Sequence, residues 1–199
     1  SAIFYGENTV KGDRSSEALI AHEIVHQWFG NTATEKSFSH LWLSEGFATY
    51  LTNIYIEQKY GIDSFYKRLE DDREKVIQFA KTSKQAVVDT TSDYMDLLNA
   101  NSYQKGGWIL HMFRRSVGDS AFKKIIQTYY AQYKGGNADS RDFEDVAEKV
   151  SGKDLTQFFQ QWLYQPGIPE LEIKTGRDSD ELILEIEQLK NIYQTELAV

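Results

Sequence analysis

Two histidines stand four residues apart in the run His22-Glu23-Ile24-Val25-His26. On a helix that spacing puts them one turn apart on the same face, with about 5–6 Å between Cβ atoms. Both imidazoles can then converge on one ion. Glu23 follows His22 directly and can address a water at that ion without being a ligand itself. Imidazole nitrogen suits zinc, and a catalytic zinc site needs three protein ligands with one position left open. Glu45, separated from His26 by eighteen intervening residues, is the candidate third ligand. Two neutral imidazoles and one carboxylate on a divalent ion leave a net positive centre, the electronic arrangement suited to hydrolysis.

For these groups to meet, two helices and a turn are required. The first is expected from Glu17 to about Phe29, with Asp13, Ser15 or Ser16 as cap and Gly30-Asn31 as stop signal. A polar connection over 32–39 leads to a second helix beginning near His40, in which Phe47, Leu51 and Ile54 fall at i, i+4 and i+7. Packed antiparallel, the two helices can bring Glu45 up to the imidazoles.

The rest of the chain is mostly helical in pattern. Ile109, Met112, Phe113 and Val117 make one apolar stripe, and Phe122, Ile125, Ile126 and Tyr129 another. Phe143, Val146, Ala147 and Val150 form a third, and Leu155, Phe158, Phe159 and Trp162 a fourth. These stripes are the buried faces of a helical core. Before the first helix, Ala2-Ile3-Phe4-Tyr5 is a short β-prone run. Both prolines lie in Gln165-Pro166-Gly167-Ile168-Pro169, which reads as a boundary. Beyond it Leu171/Ile173 and Leu182/Leu184/Ile186 alternate with polar residues around Gly176-Arg177-Asp178-Ser179-Asp180, the pattern of a β-hairpin.

The 199 residues carry 27 aromatics and a net charge of −8, with no cysteine. Disulfides, thiolate metal sites and cysteine nucleophiles are excluded, and the compartment is left open. An acidic chain without a basic block is a poor match to a phosphate backbone, so no nucleic-acid partner is expected. No apolar stretch approaches the roughly 18 residues that span a bilayer. The chain starts at Ser1 without a signal-peptide pattern, which points to a piece of a longer parent chain whose remaining domains would be its partners.

Taken together, His22-Glu23-Ile24-Val25-His26-Gln27-Trp28-Phe29-Gly30-Asn31 and Trp42-Leu43-Ser44-Glu45-Gly46-Phe47-Ala48 resemble the aminopeptidase N family of gluzincin zinc metallopeptidases. The resemblance implies a mainly α, thermolysin-like catalytic domain over residues 1–165, lacking its N-terminal part, a helical bundle with a short N-terminal β-run. Residues 166–199 would then begin a β-sandwich domain. It implies one Zn2+ held by His22, His26 and Glu45, with Glu23 as general base, and peptides as substrates. Tyr103-Gln104-Lys105-Gly106 is similar to the family's Tyr-x-Lys-Gly motif, which implies that the Tyr103 hydroxyl donates to the oxyanion of the reaction. Ser44 stands where the family often has Asn, at a position that is not a ligand. The family's amine-recognition segment, Gly-x-Met-Glu-Asn, is expected upstream of Ser1, and Glu7-Asn8 sits in the wrong surroundings to replace it.

The function that follows is metal-dependent release of N-terminal amino acids from peptides. Two alternatives stay open, a thermolysin-like endopeptidase with the same ligands and a zinc-binding fragment inactive in isolation. A degenerate scaffold domain is opposed by Glu23, since a structural zinc site needs no base beside the metal. Among the other polar candidates, His111 reads as structural and His40 as a possible support for the ligands. Trp28, Trp42 and Trp108 are expected to pack the helices that hold the site.

Overall fold

The computed structural model describes residues 2–178, 181–190 and 192–194. Among the described residues seven α-helices carry the fold: α1 Glu17–Val25, α2 Trp42–Tyr60, α3 Ile62–Ala80, α4 Gly106–Val117, α5 Asp119–Tyr133, α6 Ser140–Ser151 and α7 Thr156–Phe159. Two π-helical turns, Asn101–Lys105 and Gln160–Tyr164, lead into α4 and continue α7. The four apolar stripes bury as their spacing requires. Ile109, Phe113, Ile125, Phe143, Ala147 and Phe159 are all fully enclosed.

At the centre Phe143 meets Phe47, Tyr129 and Phe159 edge to face, with ring centroids 5.3, 5.2 and 5.8 Å apart. Such pairs add about 0.5–1.5 kcal/mol each beyond the area they bury. This cluster ties α2, which carries Glu45, to α5, α6 and α7. Helix α6 is fixed at its start by reciprocal caps. Asp142 N–H donates to Asp139 Oδ1 at 3.0 Å, and Asp139 N–H donates to Asp142 Oδ2 at 2.8 Å. Helices α2 and α3 meet at Gly61, whose φ of 90° lets the chain reverse in one residue.

Several local expectations need correction. Helix α1 ends at Val25 rather than near Phe29, because the chain tightens into a turn in which Asn31 N–H donates to the His26 carbonyl and Ala33 N–H to the Trp28 carbonyl. His26 keeps helical dihedrals as the C-cap, so the one-turn relation to His22 survives. Residues 2–5 form no strand; among the described residues they pair with no other segment, and an unpaired segment leaves its backbone groups to water. Within the supposed polar connection, β1 Ala33–Glu35 pairs in parallel with β2 Gly136–Ala138. Three residues are too few for an alternating pattern to show.

The C-terminal hairpin is present as β3 Leu171–Asp178 antiparallel to β4 Glu181–Gln188. Its strands run further than expected, since Gly176 pairs with Ile183 and Asp178 with Glu181. The rest of the expected turn, Ser179-Asp180, lies outside the described residues. No helix among the described residues is long and apolar enough to cross a membrane.

Candidate metal centre

Helix α1 packs on α2 so that His22, His26 and Glu45 face one another. Glu45 Oε2 lies 3.1 Å from His22 Nε2 and 3.1 Å from His26 Nε2, and the two Nε2 atoms are 3.1 Å apart. Three donor atoms at the corners of an equilateral triangle form one face of a tetrahedron. With 3.1 Å edges its centre would lie about 1.9 Å from each corner, close to the roughly 2.0–2.2 Å of zinc–nitrogen and zinc–oxygen bonds.

The proton inventory points the same way. His26 Nδ1 lies 3.0 Å from the Phe29 carbonyl oxygen, which can only accept, so Nδ1 carries the hydrogen and Nε2 presents a lone pair. That lone pair faces a carboxylate oxygen. His22 Nε2 has one proton to offer in its neutral form, which serves only one of its two neighbours. The triangle is therefore short of positive charge and fits a cation. Among the described residues it is the one group of three such side chains whose donor atoms all lie within 4.8 Å.

Burial pushes the Glu45 carboxyl up, but the two imidazoles outweigh it and hold it down at about 2. Its place in the first turn of α2 adds the favourable end of the helix dipole. Burial opposes charge on His26, yet Glu45 and the Phe29 carbonyl outweigh it and raise its pKa. Gly30 is required beside this pair. Its φ is 117°, and a Cβ there would stand 3.1 Å from His26 Nδ1 and 3.4 Å from the Ser44 side chain. The Ser44 hydroxyl donates to the Glu35 carboxylate.

Tyr103 comes from the π-helical turn before α4, and its ring lies nearly parallel to that of His22 with centroids 6.1 Å apart. Burial first, then the Glu45 carboxylate, pushes the phenol above its ordinary value and keeps it protonated. The turn is held from several sides. Asn101 Nδ2 donates to the Gln85 carbonyl at 2.9 Å, Ser102 Oγ to the Leu97 carbonyl at 2.7 Å, and Lys105 Nζ to the Gly167 carbonyl at 2.8 Å. Lys105 is 3% exposed, and burial lowers its pKa to about 8.

His22, Glu23, His26, Glu45 and Tyr103 all border one open cavity of about 810 Å³. Leu19, His22, Glu23 and His26 form its α1 wall, and Glu45, Thr49 and Thr52 its α2 wall. Sequence reasoning missed the third wall, Arg68, Asp72 and Lys75 of α3. Their i, i+4, i+7 spacing was the available signal that they share a face.

The remaining candidates lie elsewhere. Glu7-Asn8 forms an exposed turn that does not border the cavity. His40 Nδ1 accepts from Ser140 N–H at 3.2 Å and joins α6 to the start of α2 rather than supporting a ligand. His111 Nδ1 is 3.1 Å from the Tyr50 hydroxyl, and burial lowers it to about 4. Trp42 is fully buried with its indole N–H on Ser140 Oγ, and Trp108 donates to the Leu69 carbonyl. Trp28, expected to pack, is 47% exposed because the chain has already left the helix there.

The model of the peptidase family M1 domain matches residues 2–162. Aminopeptidase N of Lactococcus lactis is 32% identical over 191 residues, covering 89% of this chain and 22% of that protein. Aminopeptidase M1-C of Oryza sativa is 29% identical over 194 residues, covering 94% and 22%. Among solved structures, yeast LTA4 hydrolase superposes with a TM-score of 0.72 at 25% identity, over 79% of this chain and 27% of that one. The M1 zinc metallopeptidase of Deinococcus radiodurans gives 0.67 at 24% identity, over 78% and 34%. The chain spans about a fifth of the length of the relatives it matches.

Proposed function

Because this chain belongs to peptidase family M1, we propose that it carries the zinc-binding and catalytic core of an aminopeptidase acting on peptides. The observation that carries the reading is the 3.1 Å triangle of His22, His26 and Glu45 donor atoms, into which His26 Nε2 turns its lone pair. In this reading those three residues hold one Zn2+. When bound, zinc supplies Lewis acidity that polarises the scissile carbonyl and lowers the pKa of water from about 15.7 toward about 7.

The chain's own residues do the rest. Glu23 borders the cavity beside His22; its carboxylate takes the proton of the attacking water and delivers it to the leaving amine, a role typically worth 10²–10⁴-fold. Tyr103, kept protonated by burial and by Glu45, donates to the oxyanion that develops on the carbonyl, worth roughly 10²–10³ in kcat. The names of the Lactococcus and Oryza relatives support action at the amino end of the substrate.

The experiment is a pair of measurements on wild type and Glu23→Gln. The wild type should bind one zinc and cleave peptides with a free amino terminus in preference to N-blocked ones. The variant should keep its zinc and lose most turnover. Robust cleavage of the blocked peptides would favour an endopeptidase, and undiminished turnover by Glu23→Gln would remove the base from the mechanism.

A further inference from the structure

Away from the imidazoles the cavity continues between α2 and α3, with Thr49 and Thr52 on one wall and Arg68, Asp72 and Lys75 on the other. Arg68 is held by a buried chain of contacts. Its Nε–H donates to Asn53 Oδ1 at 2.7 Å, and Asn53 Nδ2 donates to Asp72 Oδ2 at 3.0 Å. Asn53 and Asp72 are both buried. One edge of the guanidinium is thereby fixed, while among the described residues its terminal nitrogens donate to no protein atom. The exposed Lys75 ammonium lies 3.9 Å from Asp72 Oδ1. Of the charged side chains that line this end of the cavity, two are cations and one is a carboxylate, with Asp71 close enough to act on Asp72 from outside the lining. Thr52 Oγ1, in the facing α2 wall, is buried without a hydrogen-bond partner.

The distance from the metal ligands decides what could reach here. At 1.5 Å of rise per residue, Asn53 lies about 12 Å along α2 from Glu45. An extended peptide covers that in roughly three to four residues. An aminopeptidase leaves a single residue on the amino side of the cleaved bond, so a group this far away meets the departing peptide. We propose that Arg68, seconded by Lys75, is an anion subsite that binds a carboxylate of the leaving peptide about three residues beyond the cleaved bond. The inference rests on the aminopeptidase reading for the direction of the substrate. A guanidinium already oriented by Asn53 is suited to two parallel hydrogen bonds to a carboxylate.

The test is equilibrium binding of the leaving group itself, followed by NMR shift titration of the 199-residue chain at low ionic strength. Three probes are compared: trialanine as the free acid, trialanine amide, and Ala-Ala-Asp amide. A hydrogen-bonded ion pair of this kind corresponds to about a tenfold to hundredfold preference for the acid over the amide. That preference should be lost in Arg68→Met, partly restored in Arg68→Lys, and reduced by added salt. Recovery of affinity by Ala-Ala-Asp amide assigns the site to an acidic side chain, and its failure to recover assigns it to the chain terminus. Equal binding of acid and amide by the wild type, or no binding of either, overturns the subsite, as does a preference that survives in Arg68→Met. No hydrolysis is needed. A chain that prefers the acid yet cleaves nothing keeps the anion site and loses the aminopeptidase reading, whereas cleavage without the preference does the reverse.

Discussion

Replacing Gly46 with alanine would place a methyl group where the helices bearing Glu45 and Tyr103 touch backbone to backbone. A Cβ at Gly46 would lie 3.0 Å from both the Cα and the carbonyl carbon of Gly106, and 3.2 Å from the Ser102 carbonyl oxygen. Carbon atoms rest at about 3.5–4.0 Å, and backbone cannot swing aside as a side chain can. Helices α2 and α4 must therefore part by roughly 0.5 Å or more. Overpacking of this kind costs about 1–3 kcal/mol, and backbone neighbours put this case near the upper end. Alanine's helix propensity returns about 1 kcal/mol, so a net loss near 2 kcal/mol is expected. For a chain of this size that lowers Tm by about 4–8 °C. Gly107→Ala in α4 is the control, because the only tight contact of its Cβ would be the Thr49 side chain at 3.3 Å, with the Gly46 carbonyl oxygen at an ordinary 3.8 Å, and the variant should stay within about 1 kcal/mol of wild type. Thermal melts with urea titrations decide the matter. A Gly46→Ala chain as stable as wild type would refute the claim that this contact sets the separation of the two helices.

Two further outcomes follow from the same geometry. Tyr103→Phe removes the phenol but keeps the ring beside His22. If Tyr103 donates to the oxyanion, kcat falls roughly 10²–10³-fold with zinc content unchanged; loss of the metal instead would mark a structural role. His111 has its pKa lowered from 6.5 to about 4 by burial, so below about pH 6.5 the unfolded chain takes up a proton that the folded chain refuses. Stability contributed by the neutral ring is thus lost progressively from pH 7 toward pH 4, and urea midpoints should fall less steeply over that range in His111→Gln than in wild type.

The features legible in the sequence share a physical basis, namely a periodicity repeated over several turns. His22 and His26 could be paired because a helix puts i and i+4 together, and the stripes ending in Tyr129, Val150 and Trp162 could be assigned to a core for the same reason. Glu45 was reachable because its helix follows a short connection. Features set by long-range contact were not legible. Strands β1 and β2 are three residues each and lie about a hundred positions apart, so neither is long enough to show a pattern. The end of α1 is decided by hydrogen bonds from Asn31 and Ala33 back to His26 and Trp28, which leaves Trp28 outside the packing its composition suggested. Arg68 and Asp72 belong to no motif and to none of the apolar stripes. Only the meeting of α3 with α2 makes them a wall of the cavity that His22, His26 and Glu45 border.

The proposed chemistry requires His22, His26 and Glu45 to share one ion, and zinc titration against a chromophoric chelator measures this directly. One equivalent of tightly bound zinc per wild-type chain is predicted, with tight binding lost in His26→Ala and in Glu45→Ala. Variants that still hold one equivalent as firmly as wild type would contradict it.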